Sequence, residues 1–159
     1  MKRFLLLSLL ALAFSCIQQP ADPHREALEQ YVLEHIQYPE TYKFDSMGPD
    51  KEYRYMNDLF NHQYKLKDDV RHAEGEEKAA LQAEIDKIDE LYGTMNEDIV
   101  LYEYSLYFTY KDDPSAKERQ KGIVVAQYYP DGKLKVITLD PGTLPEYPAL
   151  QMLKEQGRY

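Results

Sequence analysis

Tryptophan is missing from this sequence, cysteine occurs once, and glycine appears only seven times in 159 residues. Each shortage excludes something. A single cysteine cannot close a disulfide within the chain or build a cysteine-rich metal site. The scattered glycines form no phosphate-cradling loop, and no G-x-S-x-G elbow is present, so nucleotide-binding and serine-hydrolase signatures are both wanting. His62 and His72 stand ten residues apart, not at the three or four that would pair them on one helix face. No metal and no cofactor are therefore expected. Basic residues are outnumbered 19 to 28, for a formal net charge of −9. Phosphate binding runs on clustered lysine and arginine, and no such cluster occurs, so nucleic acid is excluded as a partner. The longest apolar run, Phe4 to Phe14, is too short to span a bilayer.

What the chain does have is tyrosine, 15 of them, and one long stretch of alternating pattern. From Val100, every second residue is apolar or aromatic: Tyr102, Tyr104, Leu106, Phe108, Tyr110. The intervening set, Ile99, Leu101, Glu103, Ser105, Tyr107, Thr109, turns polar after its first two members. Period-two alternation predicts a half-buried antiparallel strand. A second strand over 122–129 and a third over 133–139 follow around Pro130-Asp131-Gly132, a type I turn with glycine in the left-handed position. That turn sets Tyr128 opposite Leu134, Gln127 opposite Lys135 and Val125 opposite Ile137.

The other elements fall into place around this sheet. Asp22-Pro23 caps and opens a first helix, with Ala27, Leu28, Tyr31, Val32, His35 and Ile36 on one face. His35 on that stripe reads as a core-edge histidine before it reads as a ligand. Residues 40–47 alternate Tyr42 and Phe44 against Lys43 and Asp45, a short strand. Gly48-Pro49-Asp50 breaks the chain and starts a helix over 50–73. A second helix over 76–95 carries Leu81, Ile85, Ile88, Tyr92 and Met95 at spacings of four, three, four and three, a coiled-coil seam. Joined at Gly75, the two must lie antiparallel as an arm with charged outer faces. Residues 149–156 form a short closing helix with Leu150 and Leu153 inward and Gly157 as its stop. The expected class is α+β: an N-terminal helix packed on an antiparallel sheet of about four strands, with an inserted helical hairpin and a short C-terminal helix. The helix-then-sheet order resembles cystatin-like or nuclear-transport-factor-like folds, a likeness of architecture that implies no function.

The N-terminus gives the clearest signal. Lys2 and Arg3 precede the apolar run, the layout of a secretory signal. Leu12-Ala13-Phe14-Ser15 then leads directly to Cys16. This resembles the lipobox of bacterial lipoproteins, small Bacteroidetes-type ones among them. The resemblance implies that Cys16 is joined to diacylglycerol, becomes the first residue after cleavage and is then acylated at its amine. An ordinary signal peptide with an incidental cysteine is the competing reading. Cleavage removes two basic and no acidic residues, leaving 17 basic against 28 acidic and a net charge of −11. Such a surface is repelled by anionic headgroups, so the acyl chains, at about 0.8 kcal/mol per buried methylene, hold the protein to the membrane alone. The expected division is residues 1–15 as signal segment, 16–22 as lipidated cysteine and tether, and 23–159 as one domain with residues 50–95 inserted. Ile17 after the cysteine, and a tether without an acidic cluster, imply an outer-membrane protein of the cell envelope facing the periplasm.

No nucleophile stands with a base at motif spacing, and the chain is expected not to be an enzyme. Glu103, mid-strand among aromatics, is the one candidate acid, but its alternation places it on the polar face, where an exposed strand glutamate is ordinary. Two functional readings remain open. In the first, the charged helical arm binds a protein partner in the envelope. In the second, a pocket between sheet and first helix, lined by Tyr102, Tyr104 and Phe108, takes a sugar or an apolar molecule.

Overall fold

The computed structural model describes residues 22–159; Cys16 and the expected signal segment, residues 1–15, lie outside them. Helix α1 (Pro23–His35) begins as its sequence requires, with the Asp22 carboxylate accepting from the His24 amide at 2.9 Å and Pro23 at the first helical position. A 3-10 turn (Pro39–Thr41) leads into strand β1 (Lys43–Met47), followed by β2 (Lys51–Arg54). The arm is α2 (Tyr55–His72) and α3 (Gly75–Tyr92), and the long strands are β3 (Ile99–Tyr110), β4 (Gln120–Tyr128) and β5 (Leu134–Thr138). A second 3-10 turn (Pro141–Thr143) precedes α4 (Pro148–Glu155). The architecture is α+β, on a five-stranded antiparallel sheet ordered β1-β3-β4-β5 with β2 also paired to β3.

The extra strand, β2, lies inside the stretch whose pattern predicts a helix from residue 50. Lys51 pairs with Glu103 and Tyr53 with Leu101. β1 and β2 therefore form one interrupted edge strand, with β1 on the later half of β3 and β2 on the earlier half. Gly48-Pro49-Asp50 makes the interruption. Pro49 has no N–H to give a ladder, while the Gly48 amide still donates to the Ser105 carbonyl at 2.8 Å. A Cβ on Gly48 would press against Ser105 and Tyr107 at 3.2–3.3 Å, so the backbone here lies close on the sheet.

The β4–β5 hairpin closes as its turn predicts, with Gly132 at φ +83° and Tyr128 opposite Leu134. One rung further the register slips at a bulge, so that Gln127 meets Val136 and Val125 meets Thr138. The expected pairs Gln127 with Lys135 and Val125 with Ile137 are displaced by one residue, because the bulge inserts Lys135. Its consequence is apolar: Ile137 and Leu139, rather than Val136, join the face under α1.

Two cores result, one on each side of the sheet. Under α1, Leu28 and Val32 bury against Leu106, Phe108, Val124 and Ala126. Each full burial of this kind stabilises by about 1.5–3 kcal/mol. Ala27 and His35, expected on that stripe, are exposed instead; His35 stacks on Tyr31 and hydrogen-bonds its carbonyl. Gly122 makes room for the Phe108 ring, which a Cβ there would overlap. On the other side, Leu59, Leu66, Ile85 and Ile88 of the arm close with Leu101 and with Ala149, Leu150 and Leu153 of α4. α4 is tied down at both ends. Asp58 Oδ2 of α2 accepts from the Ala149 and Leu150 amides at 2.7 and 3.3 Å, capping its start. At its end, Gly157 (φ +66°) donates to Lys154 and Arg158 to Leu153, the Schellman arrangement. The arm is thus anchored along its first half by α4, and beyond Leu66 and Leu81 it packs on itself.

Candidate functional site

Glu103 stands at the middle of β3 on the face turned toward the arm, and it is not exposed. Its residue surface is 4 % accessible. β2 brings Lys51 and Tyr53 to the same face two residues apart, and β4 brings Gln127 directly opposite. Lys51 Nζ donates to Oε1 at 2.9 Å; Tyr53 Oη and Gln127 Nε2 both donate to Oε2, each at 2.9 Å. The expectation of an ordinary solvated strand glutamate is overturned, because Lys51 and Tyr53 from β2 and Gln127 from β4 close around the carboxylate. Burial pushes the carboxyl up, but the Lys51 ammonium, the Gln127 amide and the Tyr53 hydroxyl together outweigh it and hold the group below its ordinary value. Glu103 is a buried, ionised carboxylate.

Over it opens a cleft of about 370 Å³. Glu103, Ser105 and Val125 form the floor, and Tyr53, Tyr107, Pro49, Leu144 and Pro145 the walls. Glu146 stands at the rim, its carboxylate paired with Lys65 of α2 at 3.0 Å. The walls are apolar and aromatic while the floor carries one fixed negative charge. Such a site suits a positively charged group on an apolar stem, and it suits general-base work poorly, since three donors already occupy the carboxylate.

The expected tyrosine-lined pocket under α1 has a different layout. Phe108 is buried against Leu28 and Val32 in the α1 core, with Tyr42 and Tyr110 at its edges. The Tyr104 ring is stacked on His24 at 3.9 Å and meets Tyr128 edge-on. Tyr102 pairs across the sheet with Tyr128 and with Glu52. A cleft of about 400 Å³ does open at the far end of α1, between His35, Ile36, Phe108, Tyr110, Lys121 and Leu139. Neither Tyr102 nor Tyr104 reaches it.

The arm presents its own surface. On the outer side of α2, Phe60 is 61 % and Tyr64 72 % exposed, one turn apart. Lys67 and Arg71 continue the same stripe, also exposed. His62, on the inner side, bonds Glu84 of α3 at 3.0 Å and packs against Tyr147, while its Nδ1 is buried without a partner among the described residues. His72 sits at the arm's tip, far along the helix from His62. Among the described residues no three histidine, cysteine, aspartate or glutamate side chains are grouped to hold a metal ion, and no helix is long and apolar enough to cross a membrane.

Sequence reasoning missed Lys51, Tyr53 and Gln127. The signal was there in Lys51-Glu52-Tyr53-Arg54, whose alternation suits a strand as well as the start of a helix, and in the facing polar pair Glu103 and Gln127, each flanked by apolar neighbours.

No protein-family model, no curated protein and no solved structure matches the chain.

Proposed function

We propose that the chain is a membrane-anchored, non-enzymatic lipoprotein of the cell envelope, held by lipid on Cys16, which docks a protein partner on the outer stripe of its helical arm. The observation that carries the docking is the pair Phe60 and Tyr64, both more than half exposed on successive turns of α2 and followed by Arg71. Exposed aromatics with arginine are the residue types that anchor protein interfaces, because they bring large contact area at low conformational cost. The fitting partner offers an apolar pocket for the two rings and carboxylates opposite Lys67 and Arg71. The three donors on Glu103 support reading it as a fixed charge rather than a catalyst. The resemblance at Cys16 supports placement at the outer membrane, facing the periplasm.

Two experiments test this. Cys16→Ser abolishes fatty-acid labelling and releases the protein from membranes; unchanged labelling overturns the anchor. A photo-reactive side chain at position 64 of the membrane-bound protein yields one discrete adduct, lost with Phe60→Ser or Arg71→Glu while the melting temperature holds. An adduct pattern indifferent to both substitutions overturns the docking surface.

A further inference from the structure

We infer that the cleft over Glu103 is a binding site for a cationic nitrogen on an apolar stem, a primary alkylammonium, and that Lys51 is its resident, exchangeable occupant. The site is separate from the arm stripe and goes beyond the docking role proposed for it.

A buried charge is costly unless it is compensated. A carboxylate at 4 % exposure needs a counter-ion, because hydrogen bonds from neutral groups leave its charge uncompensated. Tyr53 and Gln127 are neutral, and both engage Oε2. Oε1 takes the only cation, Lys51. The two oxygens are therefore divided between a fixed pair of donors and a single ammonium. The fixed donors come from a buried amide and a half-buried ring on the sheet. The ammonium comes from a side chain that is 60 % exposed, reaching in from the edge strand and making no other hydrogen bond among the described residues. The anion cannot leave, and the cation can.

Three further features fit a larger occupant than the Lys51 tip. The cleft holds about 370 Å³ beside the carboxylate, with Tyr107, Tyr53, Leu144 and Pro145 to take an alkyl stem and tyrosine faces to attract its charge. The Ser105 hydroxyl on the floor has no partner among the described residues and can accept a second ammonium proton. Residues 16–159 carry 28 acidic against 17 basic side chains, an excess that draws cations toward the domain from solution. The shared chemistry, an ammonium on a short alkyl chain, is offered both by free amines and by a lysine side chain on another protein.

The test is calorimetric titration of the full-length protein in detergent with n-butylammonium and with a blocked Gly-Lys-Gly peptide. Wild type binds weakly and saturably. Lys51→Ala binds about tenfold tighter or more, because the ligand no longer competes with the side chain that fills the site. Its lowered melting temperature is restored by the same amine, while tetramethylammonium, which has no N–H to give, does neither. Lys51→Ala combined with Glu103→Gln binds nothing. Tighter binding of the peptide assigns the site to a protein lysine, and equal or tighter binding of butylammonium assigns it to free amines. Should Lys51→Ala fail to fold, wild type is titrated while the NMR signal of the Lys51 ε-methylene is followed, and it shifts saturably as the side chain is displaced. Absence of saturable binding to both probes in Lys51→Ala, binding that survives Glu103→Gln, or a Lys51 signal that never moves overturns the inference.

Discussion

The two faces of β3 differ in how they are built. On one, Leu106 and Phe108 meet a single amphipathic helix, α1, in an apolar core. On the other, Leu101 enters the core of the arm and α4, and the next two residues along, Glu103 and Ser105, are buried although polar. The first face is closed by one contiguous helix directly upstream of the sheet. The second is covered by residues 51–92, where β2 runs straight into the arm, and by residues 141–155, which lead into and form α4. Each face leaves a cleft where its cover ends, but only on the second does the cleft lie over a buried charge. Strand alternation reports which residues share a face; it does not report which faces are covered.

If the second face is closed as the first is, Leu101 behaves as a core residue. Leu101→Ala and Leu106→Ala, on opposite faces of the same strand and each fully buried, are each expected to destabilise by about 2–5 kcal/mol in denaturant unfolding. A negligible loss for Leu101→Ala would return the second face to solvent. Gly122→Ala tests the first face from the opposite direction: its Cβ overlaps the Phe108 ring, and the overpacking is expected to cost about 1–3 kcal/mol. Asp58→Ala removes the cap of α4 supplied by the arm, with an expected loss of about 0.5–2 kcal/mol in the same measurement. Phe60→Ser lies outside both cores and is expected to change stability by less than about 0.5 kcal/mol.

These residues also mark how far the sequence could be read. The α1 face was legible because each of its parts is local: the Asp22-Pro23 start, the Leu28 and Val32 spacing, the alternation through Phe108 and the Gly132 turn. The arm's seam at Ile85 and Ile88 and the inward Leu150 and Leu153 of α4 were legible for the same reason. The site was not. Lys51 and Tyr53 lie in four residues that begin a long helical pattern, and only pairing with β3, fifty residues on, makes them a strand. Glu103 looked solvated because its covers are distant in sequence. The bulge at Lys135 escaped because a turn fixes register only at the first rungs of a hairpin.

Glu103 is buried and ionised, with Lys51 as its cationic partner. Because its folded pKa lies below the unfolded one, the native state binds fewer protons than the unfolded chain as acid is added. The resulting stability is present in full above the ordinary carboxyl value of 4.5 and is lost as pH falls through the lower folded value. The most direct measurement is the NMR titration of the Glu103 side-chain carboxyl carbon in wild type and in Lys51→Ala. The account predicts a midpoint below 4.5 in wild type that rises when Lys51 is removed. A midpoint at the ordinary value, unmoved by Lys51→Ala, would contradict it.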